Sequence, residues 1–292
     1  MLCAILTLFP GAVRPYLDES IMGIAQRNGK LRVELVDFRN FTTDRHRSVD
    51  DRPFGGGPGM VLKPEPIFGA IEDTERRFGS FRKVLLCPRG RRFDQATARE
   101  FATEERLLFL CGRYEGYDER IRLGMDWDEV SVGDFVLAGG ELPALTIIEA
   151  TTRLLPGVLG CEQSAELESF TDGELLDYPQ YTRPRTFRGM AVPDILMSGD
   201  HGAVANWRKV EANRLTDLRR ADIRQIPPQI PPQIPPQIPP QMDPQIPPQM
   251  DPQMGSQMGS QMGPQMGSQM GSQMGPRLPL DPPPTDHHPP ID

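Results

Sequence analysis

Metal and disulfide chemistry find little to work with in this chain. Its 292 residues include four cysteines, and Cys3, Cys87, Cys111 and Cys161 lie far apart with no CxxC pair. That spacing argues against a zinc module or a disulfide framework and suits a reducing, cytoplasmic setting. With four histidines, two of them at His287 and His288, and no HExxH, a histidine-based metal site is not expected. The dinucleotide fingerprint GxGxxG, the phosphate-binding GxxxxGK[ST] and the GxSxG elbow are also missing, which argues against a nucleotide hydrolase or a serine esterase. No stretch approaches 18 apolar residues, and MLCAILTLFP has neither a basic n-region nor a following cleavage site. A net charge of −8 excludes a wholly basic nucleic-acid coat but leaves room for local basic patches.

What is present is unevenly distributed. Twenty of the 32 prolines and eight of the 14 methionines follow residue 225. There Gln recurs at every fourth position from Gln225 to Gln273, first as PPQI and then as QMGS. A period of four is too short for a solenoid. Residues 226–292 are expected to be a disordered tail without a catalytic role, extended in the first block and flexible in the second.

The first 225 residues alternate strand and helix signals. Leu2–Phe9 reads as a buried strand stopped by Pro10-Gly11. Leu17, Ile21, Ile24 and Ala25 have helical spacing, with Pro15 opening and Asn28-Gly29 closing the segment. Leu31–Phe38 alternates as a strand, and 41–60 is a polar, glycine-rich loop. A helix is expected at Pro66–Phe78, a strand at Lys83–Cys87, a helix capped by Asp94, a strand at Leu107–Cys111, a short strand at Val130–Leu137 and a helix at Pro143–Leu155. This is the pattern of an α/β domain with a parallel sheet. Residues 161–174 are acidic, small and non-periodic, as a mobile linker would be. A smaller helical unit follows from 175 to 225, with Val204, Trp207, Leu215 and Leu218 near one face of a helix after Asp200.

Three strands run into unusual turns: Cys87-Pro88-Arg89-Gly90, Gly112-Arg113-Tyr114-Glu115-Gly116 and Ala138-Gly139-Gly140-Glu141. Ligands of parallel sheets bind beyond the carboxyl ends of strands, where glycine admits close backbone approach. Three such turns in one domain point to a composite pocket, although each alone reads equally well as a tight turn.

These strings carry a resemblance. DRHRSVDDRPFGGGPGM, CGRYEGYDERI, SVGDFVLAGGELPAL, RLLPGVLG and YPQYTRP closely resemble the bacterial tRNA (guanine-N1)-methyltransferases, the TrmD family of the SPOUT class, over roughly residues 1–220. The resemblance implies a SPOUT-type knotted α/β domain over 1–160, a homodimer, and transfer of a methyl group from S-adenosylmethionine to N1 of guanosine 37 of tRNA, with Mg²⁺ expected to be required. By position, the donor is expected at Leu86, Cys87 and Pro88, at Gly112, Tyr114 and Glu115, and at Val132, Gly133, Asp134, Phe135, Val136, Leu137, Gly139, Gly140 and Pro143. For tRNA the resemblance points to Arg45, His46, Asp50, Asp51, Arg52, Gly55–Gly59 and Arg113, with Asp177 and Arg183 from the second unit of a partner chain.

Guanine N1 carries a proton at neutral pH, so the reaction needs a positioned base, and charge developing towards O6 calls for a fixed cation. The resemblance assigns these roles to Glu168 and Arg153. The family has Asp where Glu168 stands, and commonly His where Gln180 stands; Asp172 is a second carboxylate within reach. The family's second domain also continues beyond the point where the repeats begin in this chain. The alternatives are a catalytically weak tRNA-binding protein of the same family and a methyltransferase acting on another RNA.

Overall fold

The structure, a computed structural model, describes residues 1–160, 168–171, 175–220 and 222–223. Most of the expected linker, including Asp172, and all of the repeats lie outside these residues.

The apolar run at the amino end forms β1 (Leu2–Thr7), and its side chains are buried on both faces. Cys3 and Ile5 enter one hydrophobic cluster, while Ala4 and Leu6 enter the other. This two-residue alternation is repeated by β5 (Arg82–Arg92) and β6 (Arg106–Leu110), where Val84 and Leu107 face one side and Leu85 and Leu108 the other. With β2 (Arg32–Asp37) and β7 (Asp128–Ser131) they make a five-stranded parallel sheet of order β2-β1-β6-β5-β7. A strand covered on both faces is a nearly continuous apolar run, as Leu2–Leu6 of β1 and Leu107–Leu110 of β6 are.

Helices α1 (Pro10–Asp18), α2 (Ser20–Arg27), α4 (Gln95–Ala102) and α6 (Glu141–Thr152) supply the first cluster through residues such as Leu17, Ala25, Phe101 and Ile147. Helix α3 (Pro64–Phe78) and the short α5 (Glu119–Leu123) close the opposite face with Ile67, Ile71 and Ile121. Farther along lie a small hairpin, β8 (Thr186–Phe187) with β9 (Met190–Ala191), and helix α7 (His201–Arg219).

Several expectations need correction. Pro15 does not open a helix: Pro10 does, at a position where a missing N–H costs nothing, and extended backbone at Glu19 separates α1 from α2. Residues 41–60 are not all loop, since β3 (Asp50–Asp51) pairs antiparallel with β4 (Val61–Leu62). The strand expected at Val130–Leu137 ends at Ser131, and Leu218 is exposed, whereas Ala212 and Thr216 are the buried residues of α7.

Candidate functional site

The first turn is an excursion inside a strand rather than a strand end. Both Leu86 and Arg91 align with Val130 of β7, so the residues between them bulge out before β5 rejoins its neighbour. Gly90 makes that return possible, because a Cβ there would lie 2.3 Å from the Val130 nitrogen. Leu86 is buried, Cys87 half-buried and Pro88 exposed. The Cys87 thiol donates to the Glu129 carboxylate at 3.1 Å. Burial, and then Glu129, push its pKa up, which favours the thiol over the thiolate.

The turns after β6 and β7 pack directly on each other. The Gly140 N–H donates to the Gly112 carbonyl at 3.0 Å. A Cβ on Gly140 would stand 2.6 Å from the Cys111 Cα, and one on Gly112 would stand 2.7 Å from the Tyr117 hydroxyl. These two glycines therefore let protein meet protein. The Tyr117 hydroxyl donates to the Leu110 carbonyl at 2.9 Å and lies 3.4 Å from that of Leu86, linking the second turn to the first. Glu141, only 5% exposed, is the node of the assembly. It accepts from the Thr7 hydroxyl at 2.6 Å and faces the Arg113 guanidinium at 2.9 Å. Arg113 also donates to the Ala138 carbonyl at 3.3 Å and stacks on Phe9. The tRNA contact that the resemblance implies for Arg113 thus competes with a set of internal ones. Around this frame Tyr114, Glu115, Asp134, Phe135, Val136 and Leu137 are exposed, Val132, Gly133 and Gly139 half-buried, and Pro143 buried.

Glu168 and Arg153, to which the resemblance gives the roles of base and cation, lie side by side. They form a two-pronged ion pair, with one contact at 2.5 Å from Nη2 to Oε1 and a second from Nη1 to Oε2. Hydrogen bonding from Arg153 holds the Glu168 carboxyl below the usual range. Sequence reasoning missed the support for this pair. Arg99 of α4 donates to the Thr171 carbonyl at 2.7 Å, and the Asp177 N–H donates to the Ser169 hydroxyl at 2.9 Å. No local pattern marks Arg99, whose partners lie some seventy residues away. Beside Glu168 opens a cleft of about 310 Å³, whose walls include Asp177, Tyr178, Arg208 and Lys209. Arg208 stacks on Tyr178 at 4.7 Å.

The pair and the three turns lie at opposite ends of α6. The helix begins just after Gly140, and its twelve residues end at Thr152, with Arg153 as the C-cap. At 1.5 Å per residue that is about 18 Å.

Of the remaining candidates, Arg45, His46, Asp51, Arg52 and Gly55–Gly59 are exposed around the β3–β4 hairpin, and Asp50 sits half-buried in its stem. That stem is joined to the second turn: Glu115 N–H donates to Met60 at 3.0 Å, and Leu62 N–H to Gly116 at 2.9 Å. Asp177 accepts from Tyr178 N–H and the Gln180 amide, and Arg183 is exposed. Among the described residues no group of three or more His, Cys, Asp or Glu side chains is placed to hold a metal ion, and no helix is long and apolar enough to cross a membrane.

Comparison with known proteins adds an independent line. The family described as tRNA (Guanine-1)-methyltransferase TrmD matches residues 1–225. The chain is 54% identical over 219 residues to a tRNA (guanine-N(1)-)-methyltransferase of Geobacillus kaustophilus (strain HTA426), covering 75% of this chain and 89% of that protein. It is 54% identical over 220 residues, with the same coverages, to the enzyme so named in Anaeromyxobacter dehalogenans (strain 2CP-C). Among solved structures, the tRNA (m1G37) methyltransferase from Aquifex aeolicus superposes with a TM-score of 0.64 at 38% identity, over 75% of this chain and 93% of that one.

Proposed function

The chain belongs to the TrmD family of tRNA (guanine-1)-methyltransferases and methylates guanine N1 in tRNA, and from that premise we propose S-adenosylmethionine as its donor and guanosine 37, beside the anticodon, as its target. A bound sulfonium donor supplies an already activated methyl group. The residues fit such a group: three abutting turns offer backbone donors and acceptors, Phe135, Val136 and Leu137 offer apolar contact, and the exposed Glu115 carboxylate suits the cationic methionine end. We assign the turns to the knotted segment that a SPOUT fold implies; the parallel sheet and the structural neighbour support this.

The ion pair suggests how the chemistry proceeds. Arg153 and Glu168 present a cation and an anion side by side, the complement of a guanine edge with O6 as acceptor and N1–H as donor. Guanine entering between them would exchange one ion pair for two charge-assisted hydrogen bonds. Glu168 then takes the N1 proton as the N1–methyl bond forms and the sulfur–methyl bond breaks, while Arg153 stabilises charge on O6.

The observation that carries the homodimer is the length of α6. A donor at the turns and a base beside Arg153 are about a helix length apart in one chain, so each site needs the turns of one protomer and the Glu168 of its partner. The exposed Phe135, Val136, Leu137 and Leu142 offer apolar surface for a second copy to cover. A second reading, tRNA binding with slow transfer, draws on the same ion pair, because a lowered pKa makes Glu168 a weaker base.

Labelled donor with transcripts carrying or lacking guanine at position 37 tests both readings. Label entering only the guanine transcript, and lost in Glu168→Gln with donor binding intact, is the expected result. Retained tRNA binding without transfer in the unmodified protein selects the second reading, and transfer by Glu168→Gln removes the assigned base.

A further inference from the structure

Phe54 is 101% exposed, more than any other large apolar side chain among the described residues. Burying a phenylalanine side chain is favourable, and Val49 and Leu62, on the same segment of chain, are fully buried. The ring nonetheless stands in solvent, and the backbone that holds it there is specific. Gly55, Gly56, Gly57 and Gly59 all have φ between +79° and +125°, a region that side chains avoid. A Cβ at Gly55 or Gly56 would meet nothing within 4 Å, so glycine serves the shape of the turn there and leaves open space beside the ring.

The surroundings indicate what fills that space. Arg45 and Arg52 are exposed, and neither side chain forms an ion pair among the described residues; Arg47 is tied to Asn40. An uncovered ring on the same exposed loop as two guanidinium groups suits a ligand that alternates π faces with phosphates. The hairpin is rooted on the second turn through Met60 and Leu62, so a base stacked on Phe54 is tethered to the donor bed.

We propose that Phe54 is a stacking platform for an unpaired tRNA nucleobase flanking the target guanine, with Arg45 and Arg52 holding the adjoining phosphates. The inference rests on the tRNA-methylating function and adds to it a residue that reads the substrate's single-stranded loop.

The test uses the full chain and an unmodified tRNA transcript. Phe54→Ala should raise the Kd for tRNA, by anisotropy, and its KM by roughly 5- to 150-fold, the range set by loss of one stacked base. The loss should fall on KM more than on kcat and leave the Kd for S-adenosylmethionine in place. Phe54→Trp should restore binding and Phe54→Leu should not, because stacking needs a π face. Equal affinity of Phe54→Ala and the unmodified protein overturns the proposal, as does rescue by Leu equal to that by Trp. A change in light-scattering mass for Phe54→Ala also overturns it, since a second copy would then be the occupant. If the unmodified protein does not methylate the transcript, the underlying function fails first; if it does and the Phe54 variants are silent, only this inference fails.

Discussion

Glu168 and Arg153 each alter what the other can do. Hydrogen bonding from the guanidinium keeps the carboxylate ionised below its ordinary range, and the same bonding raises the Arg153 pKa. A carboxyl whose folded pKa is depressed contributes stability above its unfolded pKa, and loses it as pH falls through the folded value. Activity that depends on the ionised form has its acid limb in the same low range. Arg153→Ala removes the depressing group, so the acid limb of kcat/KM should move up towards the ordinary glutamate value, measured in single turnovers. The rate on the plateau should fall about 10²–10³-fold, as when one stabilising donor of a developing oxyanion is removed. An acid limb that stays in place would separate Glu168 from the titration.

At the scale of elements, the sheet edge at β5 and β7 is held by charge. Asp128 accepts from Arg91 at 2.7 and 2.9 Å and from Arg82. Burial pushes its carboxyl up, and the two guanidinium groups more than offset that, so its pKa is lowered. Asp128→Asn should cost about 1–3 kcal/mol in urea unfolding near neutral pH. It should also flatten the loss of stability on acidification, because the missing contribution is the one present above the unfolded pKa. Unchanged stability would show the network to be a solvated decoration.

How far these elements could be read in advance depended on how local their causes are. Apolar runs marked β1 and β6, and Asp94 and Asp200 marked the helices they cap, each through a side chain that bonds an N–H three residues on. The excursion at 87–90 is set by where β7 lies, and that is not written in residues 87–90 themselves. Nothing local marks Glu141, which follows two glycines, as buried; its partners Thr7 and Arg113 lie far away in sequence. The family resemblance gives Arg153 and Glu168 their roles but not their contact, which joins residues fifteen apart, and their separation from the turns follows from the length of α6.

At the scale of the whole molecule, that separation makes a strong demand. If each site draws its turns from one protomer and its base from the other, two different defects can complement. A heterodimer of Glu168→Gln with Gly140→Val, purified through two tags, should retain one working site although each parent homodimer has none. Gly140→Val is chosen because any side chain there meets the Cys111 backbone at 2.6 Å. No activity above the parents would place both halves of the site in one chain.

Helix α6 is itself unusually enclosed: eight of its twelve residues are buried, on both sides of its axis. A rod clamped in this way cannot bend or slide to bring its own ends together. With the proposed division of labour, an isolated chain therefore holds two half-sites that it cannot join, and catalytic competence arrives with concentration, as a property of the encounter between two copies.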